Sequence, residues 1–107
     1  MDPTSHLPLA PRDLMILAVL AERPLHGYGL VKAVEARSSS GVLLDPANLY
    51  RVLRRMRALD WIEEADDEQE RRRTYRITGA GRAVLVAELG RLQRLLAQAR
   101  PAVADGG

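Results

Sequence analysis

The stretch Asp45-Pro46-Ala47-Asn48-Leu49-Tyr50-Arg51-Val52-Leu53-Arg54-Arg55-Met56-Arg57-Ala58-Leu59 constrains this chain most. It predicts a helix with a fixed start. Asp45 can cap free backbone N–H groups, and Pro46 sits where a missing N–H costs nothing. Leu49, Val52, Leu53, Met56 and Leu59 recur at spacings of three and four, so they form one stripe to be buried. The opposite side carries Arg51, Arg54 and Arg55, flanked by Asn48, Tyr50 and Arg57. At ~100° per residue, Ala47 and Ala58 fall in the middle of that polar side, where little bulk lets the helix come close to a surface. Four arginines and no acid lie between positions 46 and 59. An apolar back and a basic front suit the major groove of DNA. Taken alone, the pattern equally describes a solvated arginine face on an ordinary amphipathic helix, so the flanking chain must decide.

The 107 residues allow one domain with one modest core. An apolar fraction of 47% argues against disorder except at the ends. Phe is absent and the aromatics are one Trp and three Tyr, so the core must be built from Leu, Val, Ile and Ala. A formal charge of +2 does not by itself argue for nucleic acid. Its arrangement says more: arginines gather at 51–57 and 71–76, acids at 63–70. The absence of cysteine excludes disulfides, zinc-thiolate sites and cysteine nucleophiles. No nucleophile–base pair, metal-ligand spacing or glycine-rich phosphate loop is present, so no enzyme, metal or cofactor is expected. The longest apolar run, residues 14–21, is far short of a membrane span, and the first eight residues lack the pattern of a signal peptide. A soluble cytoplasmic protein is the expectation.

Residues 1–9 show no periodicity and are expected as a flexible lead. Pro11 suits a first helical turn and Asp13 its dipole. Residues 14–21 are apolar all round, and such a helix must be covered on more than one side. One small domain offers little cover, which points Leu14 and Leu17 toward a partner helix or a second subunit. Pro24 ends the element. Residues 25–30 form a turn into a second helix reaching about Arg37, with Leu30, Ala33 and Val34 inward. Residues 38–41 make a turn, and residues 42–44 are expected as a short strand before the Asp45 cap. Two helices and an arginine-faced third are in the order of a helix-turn-helix.

Residues 60–65 change character and predict a strand. Residues 66–70 form an all-polar turn, and residues 73–77 alternate, with Tyr75 and Ile77 on one face. A hairpin directly after a recognition helix is a wing. Its return strand carries Arg71, Arg72, Arg73 and Arg76, which suit the phosphates of a neighbouring groove. Thr78 then caps a last helix that ends near Arg100, before Pro101. Leu85, Leu89, Leu92, Leu96 and Ala99 follow 4-3-4-3 spacing, an a/d seam of little over two heptads. The expected layout is a mainly α (α+β) winged helix-turn-helix with a two-stranded wing over 10–77, a dimerisation helix over 78–100 and a disordered tail over 101–107.

Three motifs, in order, give the chain a resemblance to the PadR family of bacterial transcriptional regulators over roughly residues 10–100. Leu25-His26-Gly27-Tyr28 resembles the family's turn into its second helix. Asn48-Leu49-Tyr50, followed by Leu53, Met56 and Leu59, resembles its recognition helix. Tyr75-Arg76-Ile77-Thr78-Gly79-Ala80-Gly81-Arg82 resembles the wing strand and the capped start of its dimerisation helix. The resemblance, which is to the compact branch of the family, implies a homodimeric winged-helix repressor whose first and last helices build the dimer interface. It also implies a near-palindromic double-stranded DNA operator and release by a stress signal or a small apolar or aromatic inducer. Gly79 stands where an acid is common, the wing turn is acidic, and the last helix has no aromatic residue on which a flat ligand would stack.

The expected DNA-binding residues are thus Tyr28, Asn48, Tyr50, Arg51, Arg54, Arg55, Arg72, Arg73 and Arg76. Those expected at the dimer interface are Leu14, Leu17, Leu85, Leu89, Leu92 and Leu96. For Tyr28 a phosphate contact and helix packing stand level. Trp61 reads as core before inducer pocket, His26 as a packed or capping residue before a switch, and the acids of 63–70 as a solvated turn before a cation site. The alternative to a DNA-binding regulator is a winged-helix protein-interaction module that does not bind DNA.

Overall fold

The structure, a computed structural model, describes residues 2–67 and 72–104. Its elements are α1 (Pro11–Glu22), β1 (Leu25–His26), α2 (Gly27–Arg37), α3 (Pro46–Ala58), β2 (Ile62–Asp67), β3 (Arg72–Ile77), α4 (Gly79–Ala99) and α5 (Pro101–Ala104). Together they form an α+β winged helix-turn-helix. The wing differs from expectation in one respect: its sheet has three strands, in the order β1-β3-β2. Leu25 and His26 pair antiparallel with Tyr75 and Thr74, so the expected turn begins as a short strand. Two residues carry no visible period, which is why sequence reading missed it. The expected strand at 42–44 does not form. Instead the Val42 N–H donates to Ser38 Oγ, which itself donates to the Val34 carbonyl at the end of α2. Residues 68–71, with most of the expected polar wing turn and Arg71, lie outside the described residues.

The apolar helix α1 finds its cover inside the chain. It packs against α2, α4 and β3. Ile16, Leu17, Val19 and Leu20 join Leu30, Val34, Leu49, Val52, Leu53, Met56, Trp61, Ile62, Tyr75, Val84 and Leu85 in one core. Trp61 belongs to that core.

Residues 2–9, expected to be a flexible lead, are tied down. Leu7 and Leu9 pack on the core, and the His6 ring meets Trp61 edge-on at 5.5 Å. The Leu9 N–H donates to Glu88 Oε2 at 2.7 Å. Glu88 is buried and also pairs with Arg91, whose Nη2 donates to the same oxygen at 3.0 Å. The Arg91 hydrogen bond, and then that from Leu9, hold the Glu88 carboxyl below its ordinary pKa of 4.5 against the opposing effect of burial.

Two junctions set how α3 and α4 leave the wing. At the end of α3, Asp60 takes a left-handed conformation (φ 62°). The Trp61 N–H then reaches the Met56 carbonyl and the Asp60 N–H the Arg57 carbonyl, a Schellman closure without glycine. At the start of α4, Thr78 Oγ1 accepts from the Gly81 N–H at 3.0 Å and donates to the Asp60 carbonyl at 2.5 Å. Gly81 lets the helix lie directly on the Trp61 carbonyl, since a Cβ there would sit 2.0 Å from that oxygen. Beyond Leu92, α4 leaves the body, and residues 93–104 are all exposed, giving an elongated molecule of 56 × 32 × 22 Å. α4 ends at Ala99, before Pro101 as expected, and a separate short helix, α5, follows where a disordered tail was expected. Residues 105–107 of that tail lie outside the described residues.

Candidate nucleic-acid interface

The third helix is built as its sequence requires. Asp45 Oδ1 accepts from the Ala47 N–H at 3.0 Å, and Asn48 Nδ2 donates to Asp45 Oδ2 at 2.8 Å. Asn48 is therefore half-buried and partly spent on the helix start. Leu49, Val52, Leu53 and Met56 are buried, leaving the arginine side to solvent.

The arginines are not equivalent. Arg51 and Arg54 are exposed and have no ion-pair partner among the described residues. Arg55 pairs with Asp13 of α1, and Arg57 with Glu64 of β2 at 2.7 Å. On the wing, Arg73 Nε lies 3.2 Å from Glu64 and Arg76 Nε 3.3 Å from Glu63. Only the Arg76–Glu63 pair is more than half exposed on both sides, so it is worth roughly 0–1 kcal/mol and can be exchanged for a phosphate at little cost; Asp13 and Glu64 are 6% and 14% exposed and depend on their arginines. Arg72 Nη1 lies 3.0 Å from His26 Nε2. His26 is the N-cap of α2, its Nδ1 accepting from the Gly29 N–H at 3.1 Å. That selects the capping role weighed for it. The acids Glu63 and Glu64 serve as wing ion-pair partners, and among the described residues no group of three His, Asp or Glu could hold a metal ion.

Among the grooves beside the arginine face, two gather several of the expected residues. One, of about 370 Å³, is lined by His26, Gly27, Tyr28, Tyr50, Arg72, Arg73 and Tyr75. It lies at the N-terminal, electropositive end of α2. Tyr28 is 67% exposed there, with Lys32 Nζ 5.5 Å from its ring centre. A Cβ on Gly27 would stand 3.0 Å from the Tyr50 hydroxyl, so this glycine lets the Tyr50 phenol settle against α2. Burial, with Glu64 adding to it, pushes the Tyr75 phenol above its ordinary pKa and keeps it neutral. Tyr28, Tyr50, Arg72 and Arg73, named separately from helix and strand patterns, thus share one groove. The other groove, of about 270 Å³, is lined by Arg12, Asn48, Arg51, Val52 and Arg55. Sequence reading passed over Arg12, because its neighbours identify it only as a residue of the first turn of α1.

The residues expected between subunits divide. Leu17 and Leu85 are 0% and 6% exposed within the single chain, which leaves them no surface to offer a partner; this corrects their assignment. Leu14 is half-buried against the core. Leu92 is half-buried, whereas Leu89 and Leu96 are 50% and 52% exposed, together with Val86, Leu95 and Val103. Val103 extends the Leu89, Leu92, Leu96, Ala99 spacing past Pro101. No helix among the described residues is long and apolar enough to cross a membrane.

Comparison with known proteins agrees with this geometry. The sequence model of the transcriptional regulator PadR-like family matches residues 16–87. A 37.1 kDa protein in transposon TN4556 of Streptomyces fradiae is 37% identical over 83 residues, 78% of this chain, and the chain spans only 23% of that relative. Among solved structures, a transcriptional regulator from Clostridium thermocellum superposes with a TM-score of 0.71 at 22% identity, over 83% of this chain and 89% of its own. A PadR family transcription regulator from Clostridium difficile superposes with a TM-score of 0.69 at 24% identity, over 83% and 97%.

Proposed function

Because the chain belongs to the transcriptional regulator PadR-like family, whose members are regulators and not enzymes, we propose that it binds DNA sequence-specifically as a homodimeric repressor in the cytoplasm. The observation that carries this reading is the pair Arg51 and Arg54. They stand exposed on α3, opposite its buried stripe, without ion-pair partners among the described residues, while Arg55, Arg57, Arg73 and Arg76 have carboxylates beside them. Arg51, nearer the helix start, reads a base; Arg54 and Arg55 lie along the same groove wall. Tyr28, Tyr50, Arg72 and Arg73 line the groove that takes one backbone phosphate, and Arg76 meets the backbone further along the wing.

A single recognition helix touches few bases. Two, placed about 34 Å apart, read successive major grooves of a near-palindrome. The exposed Leu89 and Leu96, with the half-buried Leu92 between them, supply the seam that holds two copies. A stress signal or a small apolar or aromatic inducer releases the repressor. Selection from random DNA with the purified protein tests the reading. It should return a near-palindrome with half-sites one turn apart, or a multiple of that. Recovery of unenriched sequence, with binding no better than to bulk DNA, would refute it.

A further inference from the structure

We infer that Arg12 and Arg55, braced together by the buried carboxylate of Asp13, form a second backbone-phosphate site on the α1 side of the recognition helix. This rests on the DNA-binding reading above and adds α1 to the interface. Asp13 has a side chain only 6% exposed, and its two oxygens go to different arginines. Oδ1 accepts from Arg12 Nε at 3.2 Å, and Oδ2 accepts from Arg55 Nη2. A buried carboxylate must be paired, because leaving it without a partner is costly. One bidentate arginine would meet that need. Asp13 instead holds two, each through a single N–H, and both guanidiniums remain nearly half exposed, at 44% and 46%. Most of the donors on each arginine stay unspent.

Those donors border the 270 Å³ groove whose third cation is Arg51 and whose further polar residue is Asn48; no acid lines it. Three arginines against one aspartate leave two positive charges at one side of α3. Converging guanidiniums with a fixed spacing recognise a phosphodiester. Asp13 is a positioning residue: it fixes both side chains before DNA arrives, so less of their freedom is lost on binding. Because α1 lies in the core, the arrangement also joins the recognition helix to the body through a charge contact.

The experiment is salt titration of DNA binding with Arg12→Ala, Arg12→Lys and Arg51→Ala beside the parent. Removing Arg12 leaves Arg55 on Asp13. Arg12→Ala should weaken operator and bulk DNA by the same factor, leave the selected motif unchanged and lower the log-log salt slope by about 0.9. Arg12→Lys should restore the slope. A parent slope in Arg12→Ala, or a loss that lysine does not repair, overturns the inference. Phosphate ethylation interference on the parent needs no variant. It should mark a backbone phosphate outside the base pairs whose preference Arg51→Ala relaxes, and its absence overturns the site. Competition by inorganic phosphate alone, with no such marked position, would give the groove to a free anion and also overturn it. If the parent binds no DNA, the underlying reading falls too; if Arg51→Ala changes the motif and Arg12→Ala changes nothing, only this inference falls.

Discussion

Replacing Gly81 with alanine should cost far more than its single methyl suggests. The added Cβ would stand 2.0 Å from the Trp61 carbonyl oxygen and 2.8 Å from its carbon, against backbone that cannot rotate away. Ordinary carbon–oxygen contact is more than 1 Å longer, so the start of α4 must lift. Lifting it strains the Thr78 N–H bond to the Trp61 carbonyl (3.0 Å) and the Thr78 hydroxyl bond to the Asp60 carbonyl (2.5 Å). Overpacking costs about 1–3 kcal/mol, and each lost hydrogen bond about 0.5–1.5 kcal/mol. The net is about 1–5 kcal/mol after the ~1 kcal/mol by which alanine favours a helix over glycine. Against a domain stability of roughly 5–15 kcal/mol, that should lower Tm by about 5 °C or more. Gly90 is the internal control. A Cβ there meets only the flexible end of Arg94 at 3.5 Å, so Gly90→Ala should be neutral or stabilising by up to ~1 kcal/mol. Thermal and urea denaturation at one fixed protein concentration, followed by circular dichroism, compares the two. Equal stability of Gly81→Ala and the parent would refute the close approach.

Other consequences follow from the same geometry. Arg51→Ala should cost about 1–3 kcal/mol of operator affinity and relax preference at one base pair, read by repeating the DNA selection; an unchanged motif removes Arg51 from base reading. Leu96→Asp should leave the fold intact, since Leu96 is half exposed, yet yield a monomer in sedimentation and abolish operator binding; a variant still dimeric would move the interface elsewhere. Glu88, whose folded pKa lies below 4.5, contributes stability that is present above that value and lost as pH falls through the folded pKa. Acid titration of the melting temperature should therefore show a fall below about pH 4.5 that Glu88→Gln reduces; an identical acid limb in both proteins would show that the Leu9–Glu88–Arg91 contact adds no pH-dependent stability.

Much of the fold was legible because it follows from short-range rules. Helical periodicity, the Asp45 and Thr78 caps, and Pro11, Pro24 and Pro46 locate α1, α3 and α4 with little help from tertiary contacts. What escaped were features that depend on distant partners. Leu25 and His26 become a strand only because β3 lies beside them. The 2–9 segment is held by a carboxylate 79 positions away, and no local pattern announces that. The apolar run at 14–21 leaves a partner helix and a second subunit both open, because cover from α2, α4 and β3 together is invisible along the sequence.

The candidate site divides along the same line. Periodicity placed Arg51, Arg54 and Arg55 on one face correctly, since facing is a property of the helix itself. It could not say that Arg55 is held by Asp13 and Arg57 by Glu64, because those acids arrive from α1 and β2. The distinction matters for recognition. An unpaired arginine is free to search base edges and carry specificity, whereas one braced by a carboxylate is set in place and suits a fixed phosphate. On the proposed reading, the acids around α3 leave Arg51 and Arg54 to read bases and set Arg55, together with Arg12 of α1, on the backbone. On that view, exchanging Asp13 for a neutral residue would not simply add positive charge: it would free Arg55 to compete with Arg51 for the same bases, trading sequence preference for non-specific affinity.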